Sequence, residues 1–195
     1  MTVSWQLTNL LVTKAFFRAD PVKVILLLRH AKSAWGAVGL PDHDRPLSQR
    51  GKRAAEAMAD HLLAKAPVPD LILCSTATRT RQTLAPLIER LPPPASPIAL
   101  ENGLYLASED TLLNRLQDLP ESVSTVLMIG HNDGMWHLAE MLAGHGKGTL
   151  LAALREKFPT GALATLEVDL ESWADLAAGT ATLTAFARPR DLVFD

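Results

Sequence analysis

The sequence predicts an α/β fold: a three-layer α-β-α arrangement with a mostly parallel central sheet. Three observations predict it. From residue 21 onward, short Leu-rich or β-branched runs alternate with longer segments of helical period. Three of those runs, ending at Leu28, Cys74 and Ile129, lead directly into polar clusters. The 195 residues are 48% hydrophobic, enough for one packed domain, which excludes a largely disordered chain.

Residues 1–20 carry Leu7, Leu10, Leu11, Val12, Phe16 and Phe17 at amphipathic spacing and read as an N-terminal helical extension. Lys14 and Arg18 follow the apolar stretch instead of preceding it, the reverse of a secretory signal, and they interrupt any membrane span. The domain proper is read as residues 21–195. Val22 to Leu28 is its first strand. A polar loop from Arg29 to Leu47 follows, and Ser48 is placed to cap a helix with Ala54, Ala55, Met58, Ala59, Leu62 and Leu63 on its inner face, ending before Pro67. Asp70 to Ser75 reads as a strand and Ala77 to Leu91 as a helix that Pro86 must kink or break. An extended piece at Ile98 to Leu100, a helix near Asp110 to Leu119, a strand at Val123 to Gly130 and a helix at Asp133 to Ala143 come next. Gly144, Gly146 and Gly148 predict a flexible turn. A further helix to about Lys157 and two strands, Ala162 to Val168 and Ala181 to Ala187, complete the reading.

The charge balance, 19 basic against 21 acidic residues for a net −2, gives no global attraction to nucleic acid or an anionic membrane. Any affinity for phosphate is therefore local. The single cysteine, Cys74, excludes an intrachain disulfide framework and a cysteine-rich zinc site, and a reducing cytoplasm is the expected location. Ligands of open α/β sheets bind beyond the carboxyl ends of the strands, so Arg29-His30, Ser75 to Arg79 and Gly130-His131-Asn132 are expected to converge. Two arginines and two histidines gathered there make an anion pocket, because guanidinium forks match phosphate oxygens.

Arg29-His30-Ala31-Lys32-Ser33-Ala34-Trp35, then Asp42-His43-Asp44-Arg45-Pro46-Leu47 with Gly51, then Ser75-x-Ala77-x-Arg79-x-x-Gln82-Thr83, and finally Gly130-His131-Asn132 resemble, in that order, the histidine phosphatase superfamily. The branch they resemble most is the SixA-like phosphohistidine phosphatases. Similarity continues through Phe158-Pro159-Thr160 and the tail with Trp173, Pro189 and Leu192. The resemblance implies a phosphoglycerate mutase-like fold and a hydrolase that needs no metal or cofactor. It implies that His30 is the nucleophile, that Arg29, Arg79 and His131 hold the phosphoryl oxygens, and that a transient phosphohistidine is hydrolysed by water. The substrate it implies is phosphohistidine on a protein, with small phosphorylated metabolites as the alternative.

Nearby arginines favour the neutral imidazole that an in-line attack by His30 requires. Ser33 is a candidate phosphate contact or a partner of its own loop backbone. Lys32 and Arg81 raise the local potential, Asp44 and Arg45 read as a loop ion pair, and Gln82 and Thr83 as anchors of the helix start. Ester phosphatases and mutases of the superfamily carry a glutamate acid between the third motif and the second histidine. Glu101 lies in that interval and is the candidate general acid, against a surface or loop-capping role. Asn132 separates His131 from Asp133, so Asp133 is read as the cap of the next helix.

Other classes fit less well. A cysteine phosphatase needs five residues between Cys and Arg, but Arg79 follows Cys74 after four and Arg81 after six. A metal hydrolase could draw on Asp42, His43, Asp44, His131 and Asp133, yet adjacent loop residues rarely all face one ion. A non-catalytic phosphate-binding module would not need both histidines, and the span from Thr83 to Val123 is short for a mutase lid.

Overall fold

The computed structural model describes residues 22–34 and 39–192. The N-terminal helix expected over residues 1–20 lies outside them, as does Trp35. Seven strands form one sheet: β1 (Lys23–Arg29), β2 (Leu71–Ser75), β3 (Ile98–Glu101), β4 (Thr125–Gly130), β5 (Ala143–Gly146), β6 (Leu163–Val168) and β7 (Ala181–Ala187). Their order is β3-β2-β4-β1-β6-β7-β5. Pairings among β3, β2, β4 and β1 are all parallel, and β6 runs antiparallel to both β1 and β7. The helices are α1 (Gln49–Lys65), α2 (Thr78–Ile88), α3 (Glu109–Gln117), α4 (Gly134–Leu142) and α5 (Gly148–Glu156).

The continuous apolar runs of β1 and β4 arise because both sheet faces are covered. Alternation across the strand then sorts β1 into two cores. Ile25 and Leu27 pack with Leu112, Leu116, Leu138, Leu142 and Leu154 of α3 to α5, whereas Leu26 and Leu28 pack with Met58, Leu62, Leu84 and Leu87 of α1 and α2. Trp173, fully buried, closes the first core and donates its indole N–H to the Val123 carbonyl at 2.8 Å. No helix among the described residues is long and apolar enough to cross a membrane.

Three sequence expectations change. Val22 is exposed and lies outside β1. Pro86 lies inside α2 and does not break it; the helix stops two residues later at Ile88, short of Leu91. The glycines near 144 form the edge strand β5 instead of a turn. A Cβ at Gly144 would meet the Gly179 carbonyl oxygen at 2.1 Å, so the glycine marks a close backbone approach, which carries no apolar side-chain pattern.

Another glycine ties α1 to the loop that follows β1. Ser48 caps α1 as expected, its Oγ accepting from the Gly51 N–H at 3.0 Å. The same residue donates its backbone N–H and its hydroxyl to the Lys32 carbonyl at 2.9 and 3.0 Å. A Cβ at Gly51 would lie 2.0 Å from that carbonyl oxygen. Gly51→Ala must therefore displace backbone two residues from His30. Overpacking of this kind costs roughly 2–3 kcal/mol, so thermal unfolding should shift down by about 5–10 °C. Phosphatase turnover measured on the folded variant should fall with it.

Candidate active site

Strand register assembles the site. β1 and β4 are adjacent and parallel, with Arg29 opposite Gly130, so His30 and His131 leave the sheet side by side; their ring centroids are 5.2 Å apart. β2 lies next to β4 and delivers Ser75 and, at the start of α2, Arg79. The convergence expected of the three strand ends is present.

His30 is held in one tautomer by two contacts. Its Nδ1 lies 2.7 Å from the Ala31 carbonyl, an acceptor, so Nδ1 carries the proton. Its Nε2 accepts from Arg79 Nε–H at 3.3 Å, so the lone pair sits on Nε2. Burial, followed by the charges of Arg79, Arg29 and Arg45, pulls the His30 pKa down to about 4, against the opposing effect of the Ala31 carbonyl. The imidazole is thus neutral at pH 7. Its loop is fixed from two sides: the Ala31 N–H donates to Thr83 Oγ1 at 3.0 Å, and the Gly161 N–H donates to the carbonyls of Arg29 and His30. Thr83 therefore anchors the loop that carries His30, not the helix start. Gln82 does similar work, its Oε1 accepting from the Leu47 N–H at 2.7 Å.

His131 is 2% exposed, and its Nε2 lies 2.9 Å from Ser75 Oγ. Burial and then the neighbouring His30, Arg79 and Arg29 lower its pKa to about 3, with Asp42 opposing. Its Nδ1 and the Nε of Arg29 are both buried without a hydrogen-bond partner among the described residues. Arg29 spends another nitrogen on the Phe158 carbonyl at 2.7 Å, which Asn132 Nδ2 also reaches, at 3.1 Å.

A cleft of about 310 Å³ opens beside His30, lined by Arg29, Lys32, Ser33, Arg45, Arg79 and Thr160. Four of these six residues are cationic. Arg45 belongs to this wall, so reading it as the partner of Asp44 is corrected: it donates to Asp42 Oδ1 at 2.6 Å and to Ser33 Oγ at 2.8 Å, while Asp44 bonds His43. Ser33 is accordingly committed to Arg45 at the edge of the cleft. Asp42 and Arg45 occupy the ends of one 3-10 turn, where side chains three apart eclipse.

Asp42 and Tyr105 are contributions that sequence reasoning missed. Asp42 Oδ2 accepts from Tyr105 Oη at 2.8 Å and Arg79 at 3.0 Å, and its backbone carbonyl accepts from Arg79 at 2.6 Å. The Tyr105 hydroxyl first, then Arg45 and Arg79, hold the Asp42 carboxyl down at about 2. Tyr105 also sets its ring edge-on to His131 and His43, with centroids 5.2 and 4.9 Å away. A lone tyrosine on the far side of β3 offered no sequence spacing by which to place it.

Glu101 stands apart. It ends β3, and β3 is three strand positions from β1, roughly 14 Å at the usual strand spacing. Both of its oxygens accept from the Arg115 fork at 2.8 to 3.1 Å. The geometry is that of a structural ion pair, and the structure does not bring this carboxylate to His30. Asp133 occupies the position before α4, but its side chain makes no capping bond. Asp42 and His43 are committed to arginine, tyrosine, threonine and Asp44 partners, and no group of three or more His, Cys, Asp or Glu among the described residues is arranged to hold a metal ion. Burial pushes the Cys74 thiol up to about 12, which leaves it a thiol and not a nucleophilic thiolate.

The sequence model of the histidine phosphatase superfamily (branch 1) matches residues 25–105. An uncharacterised protein of Mycobacterium tuberculosis is 40% identical over 166 residues, 84% of this chain and the whole of that protein. Among solved structures, SixA of Agrobacterium tumefaciens, assigned as a phosphohistidine phosphatase, superposes with a TM-score of 0.72 at 35% identity, covering 86% of this chain and 98% of that one. Its counterpart from Nakamurella multipartitia gives 0.74 at 31%, covering 86% and 96%. A protein histidine phosphatase SixA complexed with tungstate gives 0.68 at 25%, covering 87% and 99%. Shared fold and identity over nearly the full length of these proteins lead to one assignment: the chain belongs to the histidine phosphatase superfamily and is a phosphatase.

Proposed function

We propose that the protein removes the phosphoryl group from phosphohistidine on a protein, using His30 as nucleophile without a metal. The observation that carries this reading is the state of the carboxylates. Asp42 is held ionised by Tyr105, Arg45 and Arg79, and Glu101 is closed into a fork with Arg115. Neither offers a proton to a leaving group. An alkoxide needs such a proton, whereas an imidazole, whose conjugate acid has a pKa near ~6.5, departs without a strong acid.

In the first step Arg79 shifts its Nε–H hydrogen bond from His30 Nε2 to a phosphoryl oxygen, and the freed Nε2 lone pair attacks phosphorus in line. The phosphorus–nitrogen bond to the substrate imidazole breaks, and its electron pair leaves with that ring, which departs as neutral imidazole because its other nitrogen has taken a proton from solvent. Arg29, Arg79 and Arg45 spread the charge of the three equatorial oxygens, and the unpaired His131 Nδ1 is a further group those oxygens would satisfy. In the second step water attacks the same phosphorus, the Nε2–phosphorus bond breaks, and inorganic phosphate and neutral His30 are restored. The tungstate carried by one structural relative is a phosphate-like oxyanion, in keeping with such a pocket.

The test measures phosphate release from a phosphohistidine peptide and a matched phosphoserine peptide in EDTA. Release confined to phosphohistidine is expected. Faster release from phosphoserine or small sugar phosphates would overturn the substrate class. Arg79→Ala should lower kcat/KM by about 10²–10³, the usual effect of losing a preorganised donor to developing charge. Steady-state kinetics on the folded variant checks this. Arg79→Lys should recover little, because one ammonium cannot both hold Asp42 and face His30.

A further inference from the structure

The catalytic cleft does not end at Lys32 and Thr160. Those two residues also line a second cleft of about 160 Å³ with Arg50, Ala54, Pro159, Arg188, Pro189 and Arg190. Arg50, Ala54, Pro189 and Arg190, together with Arg53, then wall a third of about 320 Å³. The three share walls and form one trough, from His30 outward along the first turns of α1. Eight of the chain's 19 lysines and arginines line it, and no aspartate or glutamate among the described residues does. In a chain of net charge −2 this is a strong local segregation of charge.

Helical spacing explains the outer wall. Arg50, Arg53 and Ala54 are three and four residues apart and share one face of α1. Arg50 and Arg53 are exposed and make no ion pair among the described residues, whereas Arg188 and Arg190 are partly offset by Asp191. Proline and alanine supply apolar surface between the charges. A trough this long, mixing cations with apolar walls, suits an extended acidic chain better than a compact anion.

We infer that this trough docks an acidic segment of the protein bearing the phosphohistidine, an inference that rests on the substrate class proposed above. The phosphoryl group enters at His30 while flanking aspartate and glutamate side chains lie along Lys32, Arg50 and Arg53. Docking of this kind acts through KM and is sensitive to salt.

The experiment uses two phosphohistidine peptides of equal length, one flanked by Asp and Glu and one by neutral residues, with p-nitrophenyl phosphate as a third substrate. An unphosphorylated acidic peptide, followed by fluorescence anisotropy, reports binding without chemistry. The wild-type enzyme should favour the acidic peptide about tenfold in kcat/KM at low salt, and the preference should vanish at about 0.5 M NaCl. Arg50→Glu/Arg53→Glu should abolish the preference through KM and weaken acidic-peptide binding about tenfold, leaving the neutral peptide and p-nitrophenyl phosphate unchanged. Equal turnover of the two peptides, or an equal loss on all three substrates, overturns the docking. So does wild-type preference for a bisphosphate over its monophosphate without any peptide preference, which would mark a small-anion subsite. If neither phosphohistidine peptide is cleaved but the acidic peptide binds and the double variant releases it, the docking surface stands and the proposed substrate class falls.

Discussion

His30→Ala should reduce turnover by at least about 10⁴-fold on every phosphorylated substrate, whatever its leaving group, because in the proposed mechanism it deletes the atom that bonds to phosphorus. The effect follows from geometry already set in the resting protein. His30 Nε2 carries its lone pair because Nδ1–H is bound to the Ala31 carbonyl, and Arg79 aligns it. Two nearby alternatives are unavailable: Cys74 is buried as a thiol, and Ser33 Oγ is bonded to Arg45. The variant should fold, since the loop is held through backbone bonds from Thr83 and Gly161 that do not use the imidazole. Rapid quench with labelled substrate should trap an acid-labile, base-stable phosphoenzyme in the wild type and none in His30→Ala. Retained turnover in the variant, with unchanged circular dichroism, would remove His30 from the mechanism.

The parts of this site that the sequence discloses are those that a strand delivers. Arg29-His30, Ser75 to Arg79 and His131 each follow a run of buried apolar residues, and parallel pairing of β1, β4 and β2 leaves them no place but one sheet edge. What it hides depends on lateral order and on loops. Glu101 also ends a strand, yet its strand is the outermost on that side, a fact no periodicity encodes. Asp42 and Tyr105 are 63 residues apart and meet only because the 3-10 turn at Asp42 and the segment after β3 are folded together. The edge strand β5 was illegible for another reason. Its pairing is made by glycine backbone, and composition read the same glycines as a turn.

The same burial that keeps His30 and His131 neutral should make the fold sensitive to acid. Each histidine in the unfolded chain takes a proton near pH 6.5, whereas in the folded protein His30 waits until about 4 and His131 until about 3. Between those values the unfolded state binds more protons, so stability falls as pH falls. From pH 7 to pH 5 the pair should cost roughly 3–4 kcal/mol, with most of the loss below pH 6.5. His61, whose pKa is lowered by burial and by Lys65, adds to the loss in the same direction. Asp42 does not contribute in this window, because its carboxyl stays ionised down to about 2 and an unfolded aspartate does so to near 3.8. Urea unfolding at pH 7, 6 and 5 measures the slope. His30→Ala isolates its origin: lacking one of the two suppressed protonations, the variant should lose about 2 kcal/mol less than the wild type over the same interval. NMR titration of the two imidazoles should show both neutral at pH 5. A wild-type stability that is flat from pH 7 to 5, or a protonated His30 at pH 6, would mean that burial does not hold His30 as the neutral imidazole the proposed attack requires.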